Sequence, residues 1–138
     1  LILPDMPMDE YLTMYKDIFE AAGMANTFLI SPTTSEARIR KIDAATNGFI
    51  YAVSSSSITG AKGDFSAEQE AYFQRLHAMK LHNPFLIGFG VSDRKTFLKA
   101  SAHSNGAIVG SAFITLLKNS SNLKADIHAY VKSLLADA

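Results

Sequence analysis

Two short glycine motifs, FLIGFGVS at residues 85–92 and GAIVGSAF at residues 106–113, each run from an apolar stretch through glycine to a small hydroxyl residue. Glycine at Gly88, Gly90 and Gly110 lets the main chain approach a ligand closely. Ser92 or Ser111 then opens a helix whose free N–H groups face that ligand. The chemistry this implies is phosphate binding by backbone, with no lysine or arginine required. Glycines after strands also serve as plain turn formers, but two such motifs on successive strands favour an anion site.

Other groups that can do chemistry are fewer. Asp5, Asp9 and Glu10 form a run of carboxylates, yet Asp9 and Glu10 fall in the first turn of a helix, where acidic residues favour the dipole. His77, His82, His103 and His128 show no metal-ligand spacing such as H-E-x-x-H and read as surface residues, so no metal is expected. There is no cysteine, which excludes disulfides, thiolate metal sites and thiol catalysis, and fits a reducing cytoplasm. A long polar segment, SSSSITGAKGDF at residues 54–65, follows an apolar strand. A segment of this kind is either a plain flexible connection or a lid that closes on substrate. Thr59, Gly60 and Lys62 are its functional candidates.

The elements that must position these residues are legible from periodicity. With 138 residues, 48% hydrophobic and 19% charged, the chain can bury a sizeable core. Equal numbers of acidic and basic residues give a net charge of zero, so no electrostatic footprint for nucleic acid or an anionic membrane is present. No apolar run approaches the ~18 residues of a membrane span. The opening residues LILPD read as the end of a strand already under way, and the chain is therefore expected to be a fragment.

Strands are predicted at residues 1–3, 27–31, 48–53, 85–87 and 107–109. A helix over 7–22 places Met8, Tyr11, Leu12, Tyr15, Ile18, Phe19 and Ala22 on one face and stops at Gly23. Thr33-x-x-Glu36 reads as a capping box for a helix that turns Ile39 and Ile42 inward, and Ser66-x-x-Gln69 as another for a helix over 66–80 carrying Phe73, Leu76 and Met79. Further helices are predicted at about 92–102 and 111–118, with a last one opened by Asn122 that aligns Leu123, Ile127, Tyr130, Val131, Leu134 and Leu135. Short, continuously apolar strands between amphipathic helices make an α/β fold with a parallel sheet. Periodicity leaves two architectures open, a doubly wound sheet or part of a closed (β/α)₈ barrel. A whole barrel takes about 250 residues, so five βα units are slightly more than half of one, and residues 1–138 read as one portion of a single domain.

The ordered set LILPDMP, FLISPTT, GFIYAVSSSSITGAKG, GFGVS and GAIVGSAF resembles the C-terminal half of the tryptophan synthase α subunit, a (β/α)₈ TIM-barrel lyase. The resemblance covers essentially the whole chain. It implies cleavage of indole-3-glycerol phosphate to indole and glyceraldehyde 3-phosphate, with indole passed to a partner β subunit that carries pyridoxal phosphate. No cofactor is implied in this subunit. It also implies a phosphate cradle at Gly60, Phe89, Gly90, Gly110 and Ser111, and a substrate pocket lined by Ile2, Tyr51 and Ile108 with Asp5 beside it. Thr59 matches a lid residue. On the residues alone, Tyr51 equally suits ordinary barrel packing. The family's catalytic glutamate and aspartate lie on the first half of the barrel, so no general acid or base falls on this chain. Two other readings stay open: another phosphate-binding barrel acting on a sugar phosphate, and a non-catalytic half barrel that binds phosphate or a partner.

Overall fold

The computed structural model describes residues 1–54 and 65–135. Its sheet contains β1 (Leu29–Ile30), β2 (Ile50–Val53), β3 (Phe85–Gly88) and β4 (Ala107–Ile108), all parallel and in the order β1-β2-β3-β4. Ile2 adds a single parallel bridge to Thr27 outside β1, so the predicted first strand reduces to one pairing that continues the same order. A doubly wound sheet reverses its strand order at a switch point. This order never reverses, and the strands form an arc of a (β/α)₈ barrel.

The core lies between the sheet and the helices. Phe28, Ile30, Ile50, Ala52, Phe85 and Ile87 alternate onto the helix-facing side, where they meet Ile39, Ile42, Phe73, Leu76 and Ala100. Those helix residues come from α3 (Glu36–Ala45), α4 (Ala67–Ala78) and α5 (Arg94–Ser101). Two further helices, α6 (Ser111–Asn119) and α7 (Leu123–Leu135), follow β4. The Tyr130 hydroxyl donates to the Ser92 carbonyl at 3.0 Å and the Arg94 guanidinium to the Leu134 carbonyl at 3.2 Å, which folds α7 back against α5. No helix among the described residues is long and apolar enough to cross a membrane.

The first helix departs from the single amphipathic stripe that its sequence predicts. Between α1 (Met8–Glu10) and α2 (Lys16–Ala21), residues Tyr11–Tyr15 form a π-helical turn. The wider i→i+5 turn sets the helix back by roughly one residue, so Phe19 takes the core-facing place that an unbroken α-helix gives to Ile18. Met8, Tyr11 and Phe19 are buried, whereas Leu12, Tyr15, Ile18 and Ala22 face outward. Tyr11 is fixed by edge-to-face contacts with Phe19 at 5.6 Å and Phe28 at 5.2 Å. Gly23, at φ 65°, ends the helix as expected.

Two other boundaries move. The cap of α3 is Ser35, whose hydroxyl accepts from the Arg38 N–H at 3.3 Å, while Thr33 belongs to the preceding turn and shares a hydrogen bond with the Ser31 hydroxyl. Helix α5 is capped by Asp93 rather than opened by Ser92. The Ser66–Gln69 capping box of α4 and the Asn122 cap of α7 both form. Of the stripe predicted for α7, only Leu134 is buried.

Candidate functional site

The sheet register sorts the candidate residues onto one face. Leu29 pairs with Tyr51 and Tyr51 with Leu86, while Val53 pairs with Gly88 and Gly88 with Ile108. Partners in a parallel ladder share a side, and so do residues two apart. Ile2 through Thr27, Tyr51, and Ile108 through Gly88 therefore all lie on the face opposite the helices, which is the inside of a barrel. They do not share a level: from Thr27 to Ile108 the register spans about four residues, or ~13 Å along the strands. Ile2 is exposed, and Tyr51 and Ile108 are half-buried. Asp5 is exposed and sits at φ 61° in the turn before α1.

Three glycines have three different reasons. A Cβ on Gly88 would run into the Tyr51 phenol, so this glycine makes room for the ring rather than for a ligand, which corrects the expectation for that residue. Tyr51 leans over it and meets Phe89 edge-to-face at 5.9 Å. Burial raises the Tyr51 phenol, which therefore stays protonated at neutral pH. Gly90 has φ 81° and follows Phe89 at φ 66°, so two successive residues occupy the left-handed region and glycine is needed at the second. Gly110 has φ −104° and ψ −89°, between the regular regions, and among the described residues nothing lies within 4 Å of the place its Cβ would occupy. Packing among the described residues does not ask for glycine there.

Because Gly88 pairs with Ile108, the turns that begin at Phe89 and at Gly110 leave adjacent strands at the same C-terminal end of the sheet. Their helix ends differ. Asp93 accepts from the Thr96 N–H at 2.9 Å and the Thr96 hydroxyl accepts from the Asp93 N–H at 3.2 Å, so a carboxylate already fills the start of α5. The Thr96 bonds hold the Asp93 carboxyl below the usual range. Helix α6 begins after Gly110 with no side-chain cap, and Ser111 is exposed. Of the two helix starts proposed for an anion, α6 is open among the described residues and α5 is occupied by the protein's own charge.

Thr59, Gly60 and Lys62 fall outside the described residues. Sequence reasoning missed Ser54, which it read as the first residue of a loop. Ser54 is buried and its hydroxyl donates to the Phe89 carbonyl at 2.6 Å. It also missed Asp93, although D-x-x-T at residues 93–96 is a readable cap signal. Among the described residues, no group of three or more His, Cys, Asp or Glu side chains can hold a metal ion. His77 and His103 lie with ring centroids 6.2 Å apart on the outer layer, away from the inner face.

Comparison with known proteins agrees with the barrel fold. A family model described as Tryptophan synthase alpha chain matches residues 1–136. The tryptophan synthase alpha chain of Flavobacterium johnsoniae is 51% identical over 90% of this chain and 49% of its own length. That of Christiangramia forsetii is 44% identical over 99% of this chain and 52% of its own. Among solved structures, the tryptophan synthase α₂β₂ complex of Pyrococcus furiosus superposes with a TM-score of 0.78 at 28% identity, covering 99% of this chain and 55% of the other. The chain thus spans about half the length of the relatives it matches.

Proposed function

The chain belongs to the tryptophan synthase alpha chain family, and from that premise we propose that it forms the phosphate-gripping part of a barrel that cleaves indole-3-glycerol phosphate to indole and glyceraldehyde 3-phosphate. In this reading the main-chain N–H groups of Gly60, Phe89, Gly90, Gly110 and Ser111 hold the phosphate. Ile2, Tyr51 and Ile108 line the indole side, Asp5 lies beside it, and Thr59 closes a lid. The general acid and base of the retro-aldol step come from the other half of the barrel. The partner is a β subunit carrying pyridoxal phosphate, in line with the α₂β₂ complex of the related Pyrococcus furiosus protein. The lack of cysteine fits a cytoplasmic setting.

The observation that carries the proposal is the pairing of Gly88 with Ile108, which sends the Phe89–Gly90 turn and the uncapped start of α6 off the sheet side by side. A helix start favours an anion by about 0.3–1 kcal/mol, more when partly buried. Each charge-assisted hydrogen bond adds about 1.5–3 kcal/mol before association costs are met. Several N–H donors at one point suffice to hold a phosphate without a basic side chain.

The test is turnover by a complete barrel carrying this segment. It is expected to release indole from indole-3-glycerol phosphate, to be inhibited competitively by glycerol 3-phosphate, and to lose kcat in Thr59→Val far more than it loses phosphate affinity. Absence of indole release, or release indifferent to glycerol 3-phosphate, overturns the proposal.

A further inference from the structure

Ser54 follows β2 directly and is 2% exposed. Its alternation with Ala52 turns it toward the helix layer, away from the face that carries Tyr51 and Val53. Each of its polar groups is engaged. The N–H donates to the Gly88 carbonyl at 3.0 Å, the hydroxyl donates to the Phe89 carbonyl at 2.6 Å, and the carbonyl accepts from the Gln69 side-chain amide at 3.1 Å. Gln69 is itself locked, because its Oε1 accepts from the Ser66 N–H at 2.8 Å and its own N–H donates to the Ser66 hydroxyl. The start of α4 thus braces Ser54 from behind, and Ser54 braces the turn after β3.

That turn needs a brace. Phe89 lies at φ 66° with half of its surface exposed, a conformation that a bulky residue keeps only where its surroundings impose it. The Phe89–Gly90 peptide is trans, so its C=O and N–H point in opposite directions across one plane. Pinning the carbonyl on Ser54 therefore fixes where the Gly90 N–H points. Among the described residues, none accepts a hydrogen bond from it.

We propose that Ser54 is a positioning residue whose hydroxyl orients the Phe89–Gly90 peptide so that the Gly90 N–H meets the substrate's phosphate. The proposal rests on the phosphate reading above and deepens it. It makes the cradle a structure held from the helix layer: Gln69 of α4 fixes Ser54, Ser54 fixes the peptide, and the peptide presents the donor. Ser54 itself never touches substrate.

The experiment uses a complete barrel carrying this segment, labelled with ¹⁵N and titrated with glycerol 3-phosphate while the Gly90 amide resonance is followed. In the parent the resonance is expected to move on binding. Ser54→Ala should lose about tenfold in glycerol 3-phosphate affinity, the order of one neutral hydrogen bond, and raise KM for the phosphorylated substrate in proportion. Its kcat and its affinity for free indole should stay near the parent's, and the movement of the Gly90 resonance should shrink. Ser54→Thr, which keeps the hydroxyl, should recover affinity. Equal affinity and equal Gly90 movement in Ser54→Ala overturn the positioning role alone, as does a loss of indole affinity as large as the loss for phosphate. A parent whose Gly90 resonance stays still at saturation removes the phosphate reading, and the role of Ser54 with it.

Discussion

Asp43 shows how one side chain far from the cradle sets the entry of the strand that carries it. It is buried near the end of α3, and its two carboxylate oxygens accept from the N–H groups of His82 and Asn83, both at 2.8 Å. The Asn83 amide returns to the Asp43 carbonyl at 2.7 Å and to Oδ1 at 3.0 Å. Burial pushes the carboxyl up, but these donors together outweigh it and hold the group below its ordinary value. A carboxyl depressed by folding contributes stability above its unfolded pKa, about 3.9, and loses that contribution as pH falls through the lower folded value. Thermal melts of the parent should therefore lose stability through the window below about pH 4. Asp43→Asn, which replaces one acceptor oxygen with a donor facing an N–H, should cost about 1–3 kcal/mol at neutral pH and flatten the acid slope. An acid slope identical to the parent's would deny the carboxylate this role. The bonds link α3 to the turn that feeds β3 at its N-terminal end, the side of a barrel where residues serve stability rather than chemistry.

At the scale of elements, the helix starts after β3 and β4 divide the work. Asp93 caps α5, and Asp93→Ala should lower stability by about 1 kcal/mol while leaving phosphate affinity unchanged. Gly110→Ser should do the reverse in a complete barrel. Serine caps well from extended backbone, whereas Gly110 sits at φ −104° and ψ −89°, so the substitution should leave the melting temperature near the parent's while its side chain crowds the N–H groups that phosphate would take. Calorimetric titration with glycerol 3-phosphate beside thermal melts reads both, and a Gly110→Ser barrel that binds as tightly as the parent places the anion elsewhere. The sequence carried most of the elements in its periodicity, and the Ser66–Gln69 and Asn122 caps were legible because capping depends on neighbours within one turn. What it hid were matters of register and tertiary context. No local signal marks the π turn at Tyr11–Tyr15, which answers to Tyr11 meeting both Phe19 and Phe28. Gly88 was read as a ligand glycine because the Tyr51 ring that fills its space comes from another strand. Ser54 read as a loop residue because its partners, Phe89 and Gln69, lie 35 and 15 residues away.

At the scale of the whole molecule, the described strands form an arc rather than a closed barrel. The Ile2 pairing ends one edge of the sheet and β4 ends the other, and parallel strands with open edges offer unpaired N–H and C=O groups. Apolar side chains crowd the same two flanks, with Ile2 and Ile18 exposed at one and Ile114 and Leu135 at the other. With a net charge of zero, no long-range repulsion keeps copies apart. The 138-residue chain on its own is therefore expected to sediment as dimers or larger species at micromolar concentration and to release no indole, since no general acid or base has been assigned to it. Supplying the first half of a related alpha chain as a separate polypeptide should convert these species to a one-to-one complex, because completing the barrel pairs both edges and covers both flanks at once. Indole release should appear only with that complex. A monodisperse monomer in sedimentation velocity would mean that the edges and flanks are satisfied within the chain, and indole release by the chain alone would place the catalytic groups among its own residues.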